Sequence, residues 1–542
     1  MSGGQALVRA LAAHGVDLVF GIPGTHNLEI YAHLGGYDVT HVTPRHEQGA
    51  GYAADAYART TGRPGVVITT TGPALLNASA AVGQAYSDSV PVLVISPGMP
   101  LRHPELATGQ LHEMRSQSQA MAAIAAFSHR VTSVAEIDAA VARAFALFRS
   151  GRPRPAHIEI PLDLLDSTEA VDERPRTATR AAPLRADAGC LRRAAETLQR
   201  AERPGIVLGG GARTAGTDCL RLAEALGAPV VTTANGKGVV PESHPLALGV
   251  ALHTATVQDW LADCDAVLVV GSELAESDFW RTPSAVGGTL IRADIDPGQM
   301  YAGQPADIAL VGDAAVVIDD LLALVRVQTA SAHRDGAVRS PGGRERAGAL
   351  SRVMRDKHRS ENAARDARWL PYLAAIRKVL QQDAVVTSDS AMCCYYGALP
   401  HLPLDPPGRM LHPTGFGTLG YALPAAIGAK VADPDREVVA LSGDGGLQFS
   451  VQELATAAQL GHPLPVIVFD NGGYGEIRDE MTARGDTPVA VDLPAPDLPA
   501  LARAYGGQGT RVSTPEALAA ALAKALNTSG PTVIVVPEET TP

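Results

Sequence analysis

Short apolar runs alternate along the chain with small-residue, helix-like stretches, and turn residues separate the two. Glu437 to Leu441 (EVVAL) is predicted as a buried strand. It breaks at Gly443-Asp444-Gly445-Gly446 and runs into a helix-like stretch, Ser450 to Leu460, that Pro463 and Pro465 are expected to end. A second strand, Val466 to Phe469, stops at Asp470-Asn471-Gly472-Gly473. The same rhythm opens the chain: an amphipathic N-terminal stretch leads to the strand Asp17 to Gly21 and the turn Ile22-Pro-Gly-Thr-His26. Further strands are predicted at His41 to Pro44, Gly65 to Thr69, Val90 to Ile95 and His157 to Ile160. They continue at Arg203 to Leu208, Pro229 to Thr232, Ala266 to Val270, Leu290 to Asp294, Ala384 to Thr387 and Thr532 to Val536. Strands at this spacing with helices between them imply parallel sheets.

Polar stretches punctuate this pattern. Residues 166–185 are rich in Asp, Glu, Arg, Thr and Pro, and residues 326–365 in Arg, Gly and Ser, so both are expected to be linkers or exposed segments. They divide the chain into blocks at 1–165, 186–325 and 366–542, an α/β chain of three doubly wound parallel-sheet domains. The first and third blocks are similar in size, which suggests a structural duplication, although no residue-level repeat is visible.

Composition narrows the class. The 542 residues are 46% hydrophobic but only 4% aromatic, so the cores are built from Ala, Val, Leu and Ile, as in α/β folds. Net charge is −12 with no basic tract, which makes nucleic acid a poor partner. No apolar run is long enough to span a membrane. The N-terminus lacks the uninterrupted apolar core of a signal peptide. Five scattered cysteines (Cys190, Cys219, Cys264, Cys393, Cys394) show no metal-type spacing and fit reduced thiols, so a cytoplasmic location is expected.

The chemistry sits at the strand ends, where open α/β sheets bind ligands. Glycines at 443, 445 and 446 let the backbone approach an anion, and the helix start offers free N–H groups to it. Asp444 adds a carboxylate and Asn471 an amide oxygen one strand over, hard ligands for Mg²⁺ or Ca²⁺ bridging a diphosphate. Gly-Asp-Gly alone is often only a turn; its spacing to Asn471 between two strands argues for more. Glu47 has two readings. One is a carboxylate at a helix N-terminus, favoured by the dipole. The other is a partly desolvated carboxyl, packed among Gly49, Ala50, Gly51, Ala53 and Ala54, that shares a proton with a heterocycle nitrogen.

The stretch from Gly443-Asp444-Gly445 to Asp470-Asn471 resembles the signature of thiamine diphosphate enzymes, the first Asn of the family's pair being Asp470 here. The block around Glu47 resembles the family's pyrimidine-binding domain, residues 186–325 its central domain, and residues 366–542 its diphosphate-binding domain. The resemblance implies Mg²⁺ held by Asp444, Asn471 and the carbonyl of Gly473. It implies that Glu47 protonates the cofactor's aminopyrimidine, that Leu419 wedges between its two rings, and that the Gly417 carbonyl accepts from its amino group. Thr71, Gly72, Asn77, Ser390, Ala391, Gly443, Gly445, Gly446, Tyr474 and Gly475 complete the expected cofactor contacts. Flavin-binding relatives carry an Arg-rich segment where this chain reads Gly271-Ser-Glu-Leu-Ala-Glu-Ser-Asp-Phe-Trp280, which argues against FAD.

Other departures bear on the reaction. The paired His of pyruvate decarboxylases is not found, and the strand-end His of benzoylformate decarboxylases is replaced near Thr70. The acetolactate synthase segment Ala-Phe-Gln-Glu corresponds to Gln110-Leu111-His112-Glu113. The chain most resembles a non-flavin subgroup that includes 5-guanidino-2-oxopentanoate decarboxylase, through Val42-Thr-Pro-Arg-His-Glu-Gln-Gly-Ala50, Leu111-His-Glu113 and Ala126-Phe-Ser-His129. That implies decarboxylation of an amino-acid-derived 2-oxo acid to an aldehyde, with acetolactate synthase-like carboligation as the alternative. His112 and His26 are candidate proton donors, each with a plain reading as a loop histidine. Asp278 is a candidate partner for a cationic substrate, or else a solvent-facing carboxylate in an acidic loop. The resemblance also implies a homodimer or homotetramer with sites between subunits.

Overall fold

The computed structural model describes residues 1–103, 108–179, 181–280, 285–334, 343–494 and 496–538. Its described strands form three six-stranded sheets, and every assigned strand pair is parallel. The first sheet contains β1 (Leu18–Gly21), β2 (Thr40–Val42), β3 (Gly65–Ile68), β4 (Val92–Gly98), β5 (Phe127–Arg130) and β6 (Ala156–Pro161). The second contains β7 (Pro204–Leu208), β8 (Val230–Thr232), β9 (Ala247–Val250), β10 (Ala266–Val270), β11 (Thr289–Asp294) and β12 (Ile308–Val311). The third contains β13 (Val385–Ser388), β14 (Arg409–Leu411), β15 (Val438–Gly443), β16 (Leu464–Asp470), β17 (Gln508–Arg511) and β18 (Pro531–Pro537).

The strand orders are β2-β1-β3-β4-β6-β5, β12-β11-β10-β7-β8-β9 and β14-β13-β15-β16-β18-β17. Counted within each sheet, the first and third orders are identical, the kinship suggested by the similar block sizes. The second is the order of dinucleotide-binding sheets. In the first sheet the winding direction reverses between β1 and β3, and in the third between β13 and β15. These are the switch points at whose strand ends a doubly wound sheet opens a crevice.

The chain forms two compact units: residues 1–181, 385–392 and 411–542 make one, and residues 182–384 and 393–410 the other. In the first unit the helices Glu47–Thr61 and Ala422–Ala432 pack against one another. Their small residues explain how closely: a Cβ on Gly428 would stand 2.0 Å from the Ala53 carbonyl oxygen. A buried polar network crosses this contact. Tyr421 donates to Asp55 Oδ1 at 2.6 Å, and Arg59 pairs with both Asp55 and Asp88, at 2.7 and 2.8 Å. Asp88 Oδ2 and Oδ1 in turn accept the N–H groups of Thr414 and Gly415, each at 3.0 Å.

Three local expectations differ from the structure. The helix before Pro463 ends at Leu460, with Gly461 left-handed at φ +72°, and Pro465 lies inside β16. The turn after β15 is already helical from Asp444, and a second helix begins at Glu453. Helices Ala314–Arg334 and Gly343–Glu361 fill much of the expected second linker. In the latter, Ala347, Ser351, Met354 and His358 recur at helical spacing and are buried. Residues 335–342 of that expected linker, and residue 180 of the first, lie outside the described residues.

Candidate active site

Both switch points of the first unit carry polar residues. In the third sheet, β13 delivers Asp389 and Ser390, β15 delivers Asp444 at the start of a short helix, and β16 ends at Asn471. Asp444 is buried, and burial raises its carboxyl above the usual range. Its Oδ1 accepts the Asn471 N–H at 3.3 Å, whereas Oδ2 is buried and accepts nothing among the described residues. The side-chain oxygen of Asn471 faces Asp444 Oδ1 at 3.3 Å and the Gly473 carbonyl oxygen at 2.9 Å.

Oxygens this close repel unless a proton or a cation lies among them. Turning the Asn471 amide would place N–H groups there; a divalent cation is the other solution. Oxygens held ~2.1 Å from Mg²⁺ at right angles lie ~3.0 Å apart, close to the 2.9 and 3.3 Å between these atoms. Asp444, the Asn471 amide and the Gly473 carbonyl are thus candidate oxygen ligands for such an ion. Among the described residues no cluster of three His, Cys, Asp or Glu side chains could hold a metal. An acid, an amide and a carbonyl beside an anion site are chemically a Mg²⁺ set rather than a zinc set.

Glycines shape the cradle. Gly473 sits at φ +138°, and a Cβ there would strike the Val491 carbonyl at 2.1 Å. A Cβ on Gly445 would meet the Tyr474 ring at 3.1 Å, and one on Gly475 the Asn471 amide at 2.6 Å. A Cβ on Gly443 would stand 3.3 Å from the Ala391 methyl. The helix Gly475–Ala483 begins beside this loop, its N-cap Tyr474 lying against Gly445. Gly417, at φ +61°, is exposed, and Leu419 is half-buried.

Asp389 was not singled out from sequence, yet it organises this cradle. It is fully buried and accepts from Gly420 N–H at 2.9 Å, Ser442 Oγ at 3.0 Å and Ser390 N–H at 2.9 Å. Burial pushes its carboxyl up to about 6. The signal available in the sequence was an acidic residue closing a buried strand.

In the first sheet, Glu47 opens the helix Glu47–Thr61, capped by the His46 ring, whose Nδ1 accepts the Gln48 N–H at 3.2 Å. Glu47 is half-buried, and its Oε2 accepts from Asn77 Nδ2 at 2.9 Å. The buried Glu453 carboxylate anchors the turn before it, accepting the N–H groups of Arg45 and His46, each at 3.0 Å. A Cβ on Gly49 would stand 2.5 Å from that carboxylate, which is why the helix start needs glycine.

At the switch point itself, buried Asn27 donates to the carbonyls of Ile22 and Thr69 and so ties together the loops after β1 and β3. Thr71, buried beside it, meets two imidazoles. Its Oγ1 lies 2.5 Å from His26 Nδ1 and 3.3 Å from His112 Nδ1, and the two rings sit edge to face at 5.2 Å. Burial, and then the neighbouring His112, lower the pKa of His26. His112 is held at φ +61°, and a Cβ on Gly72, itself at φ +63°, would strike its carbonyl at 2.4 Å. Glu113 shapes this loop by accepting the N–H groups of Thr108, Gly109 and Gln110, which hold its carboxyl below the usual range.

Asp278 belongs to the second compact unit. Its Oδ1 accepts the Ala234 N–H at 3.0 Å and so shapes the turn after β8, a structural role for a residue also read as a substrate partner.

Comparisons with known proteins agree along the chain. A family model described as "Thiamine pyrophosphate enzyme, N-terminal TPP binding domain" matches residues 1–122. The corresponding central-domain model matches residues 191–321, and the C-terminal TPP-binding model residues 391–536. A probable 2-ketoarginine decarboxylase of Pseudomonas aeruginosa is 43% identical over 510 residues, 93% of this chain and 88% of that protein. The acetolactate synthase isozyme 3 large subunit of Escherichia coli is 33% identical, over 97% of this chain and 92% of its own. A probable acetolactate synthase large subunit of Methanocaldococcus jannaschii is 31% identical, over 100% and 93%.

Proposed function

The chain belongs to the thiamine pyrophosphate enzyme family, and from that premise we propose that it decarboxylates an amino-acid-derived 2-oxo acid to the corresponding aldehyde. The observation that carries this reading is the pair of imidazoles on Thr71 at the first switch point. A decarboxylase that releases an aldehyde must return a proton to the carbon that lost CO₂, and His26 and His112 are proton-carrying groups at that crevice.

When bound, thiamine diphosphate supplies a heterocycle that takes up the electron pair released as CO₂ leaves. The chain's own residues bind and orient. Asp444, Asn471 and the Gly473 carbonyl would hold Mg²⁺, and the loop Gly443–Gly446 with Ser390, Ala391, Tyr474 and Gly475 would receive the diphosphate. Asn77 donates to Glu47 Oε2, which leaves Oε1 as the oxygen that would face the cofactor's pyrimidine nitrogen. Leu419, half-buried on a turn that Asp389 pins at Gly420, would support the bent cofactor, and Gly417 would offer its carbonyl. Thr71 and Gly72 would close the crevice on the pyrimidine side.

Two or four copies are part of the same reading, with the Glu47 face of one protomer against the Asp444 face of its partner. Leu76, Phe416 and Phe449 support it: in a chain with few aromatics, these apolar side chains beside Asn77, Gly417 and Gly420 are exposed. The five free cysteines fit a reducing cytoplasm. Among the described residues no helix is long and apolar enough to cross a membrane. A cationic side chain on the substrate is suggested by the 2-ketoarginine decarboxylase relative.

Carboligation is the second reading, favoured by the acetolactate synthase relatives. Incubation with thiamine diphosphate, Mg²⁺ and either pyruvate or the oxo acids of arginine, lysine and the aromatic amino acids separates the two. Aldehyde from an amino-acid-derived oxo acid supports decarboxylation; acetolactate from pyruvate as the sole product overturns it.

A further inference from the structure

The Thr71 hydroxyl has one proton to give, yet the Nδ1 atoms of His26 and His112 both face it, at 2.5 and 3.3 Å. It can donate to one ring only. The other ring satisfies the contact by donating its own Nδ1–H to Thr71 Oγ1. The two neutral imidazoles must then be opposite tautomers, one protonated at Nε2 and one at Nδ1.

We propose that His26, Thr71 and His112 form a single proton-delivery unit, with His26 as the donor, Thr71 as the link and His112 as the point of replenishment. The proposal rests on the decarboxylase reading above and deepens it. His26 makes the shorter contact, so it accepts the Thr71 proton at Nδ1 and carries its own proton at Nε2. His112 is half-buried and follows the exposed Leu111, so it is the ring assigned to exchange with solvent, and it donates through Nδ1–H.

The transfer balances without any ring becoming charged. The Nε2–H proton of His26 passes to the carbon left with an electron pair by CO₂ loss, forming a C–H bond. The Thr71 hydroxyl proton moves to His26 Nδ1, the His112 Nδ1 proton moves to Thr71 Oγ1, and a hydronium proton from solvent arrives at His112 Nε2, the one proton that converting a 2-oxo carboxylate to an aldehyde and CO₂ consumes. One proton leaves the chain and one enters, nothing is oxidised or reduced, and exchange of the ring protons with water restores the starting tautomers. A neutral relay suits a His26 whose protonated form is disfavoured by burial and by its neighbour. Fixing that tautomer requires both rings to be held. Asn27 fixes the loop of His26, and the tight approach of Gly72 to the His112 carbonyl fixes the other.

The test uses full-length protein labelled with ¹⁵N-histidine, as parent, Thr71→Val and Thr71→Ser, with His26→Gln and His112→Gln to assign the signals. Ring nitrogens with and without a proton resonate far apart, so the tautomers are read directly, without cofactor or substrate. The expected parent spectrum shows His26 protonated at Nε2 and His112 at Nδ1. Thr71→Val loses that opposition and Thr71→Ser regains it. In single turnovers with Mg²⁺, thiamine diphosphate and 5-guanidino-2-oxopentanoate, aldehyde formed per CO₂ released falls at least ~100-fold in Thr71→Val and recovers in Thr71→Ser. Like tautomers in the parent, or a parental aldehyde-to-CO₂ ratio in Thr71→Val, overturns the relay. A parent that makes no aldehyde from any oxo acid overturns the decarboxylase reading instead, and the tautomer spectrum tells the two failures apart.

Discussion

Asp389 holds the Gly420 backbone N–H on its carboxylate, 2.9 Å from Oδ1 and 3.1 Å from Oδ2. One buried acid at the end of β13 thereby fixes the turn after Leu419, and through Ser442 Oγ it fixes the end of β15 as well. Burial raises this carboxyl from 3.8 to about 6. The folded chain holds the proton more tightly than the unfolded chain does. The group therefore adds stability that is complete below about pH 4 and lost as pH rises through about 6. Between those limits the parent should lose on the order of 3 kcal/mol more than Asp389→Asn, measured by urea unfolding of the cofactor-free protein. Parallel pH profiles for the two proteins would contradict this.

The anchor of Glu47 gives a second expectation. Glu453 accepts two part-buried backbone N–H groups and the buried Thr456 hydroxyl, and removing it leaves all three without this acceptor. Glu453→Ala should cost about 3 kcal/mol in urea unfolding. It should also weaken turnover in whatever protein remains folded, because the helix start that carries Glu47 loses its restraint. An unchanged midpoint would show that water replaces the carboxylate.

Edge strands mark where the sequence was hard to read. The central strands, such as β10 and β16, are buried along most of their length and appear as Val- and Ile-rich runs. The five strands that sequence reasoning missed are β5, β9, β12, β14 and β17, and each lies at the edge of its sheet. Two of them, paired on one side only, carry polar residues: β5 reads Phe-Ser-His-Arg and β17 Gln-Gly-Thr-Arg. The strands β9 (Ala-Leu-Gly-Val), β12 (Ile-Ala-Leu-Val) and β14 (Arg-Met-Leu) are largely apolar but only three or four residues long, too short to show a period. The candidate metal ligands were legible because turn glycines and hard ligands sit next to one another in sequence. Asp389 and Glu453 were not, because their roles come from backbone donors brought in by folding. The Thr71 bridge was hidden for the same reason, since its partners come from loops after different strands.

Glu47→Gln keeps the size of the side chain and its contact with Asn77 but removes the titrating group. Thiamine diphosphate binding, followed by calorimetry with Mg²⁺ present, should change little, whereas aldehyde formation should fall by ~100-fold or more. Turnover at the parental rate would remove Glu47 from its assigned role.

Asp444→Asn tests the oxygen cluster with Asn471 and Gly473. It removes the only carboxylate of the set, so Mg²⁺-dependent cofactor binding should weaken by more than the ~10–100-fold that altering an outer-sphere partner costs. Titrating Mg²⁺ at fixed thiamine diphosphate measures this directly, and an unchanged requirement for Mg²⁺ would place the ion elsewhere.

The most direct measurement is product analysis with the parent protein. Purified chain, thiamine diphosphate and Mg²⁺ are incubated separately with 5-guanidino-2-oxopentanoate and with pyruvate, and CO₂, aldehyde and acetolactate are quantified. One aldehyde per CO₂ from the guanidino acid, with little acetolactate from pyruvate, is the expected result. Acetolactate from pyruvate with no aldehyde from the guanidino acid would contradict it.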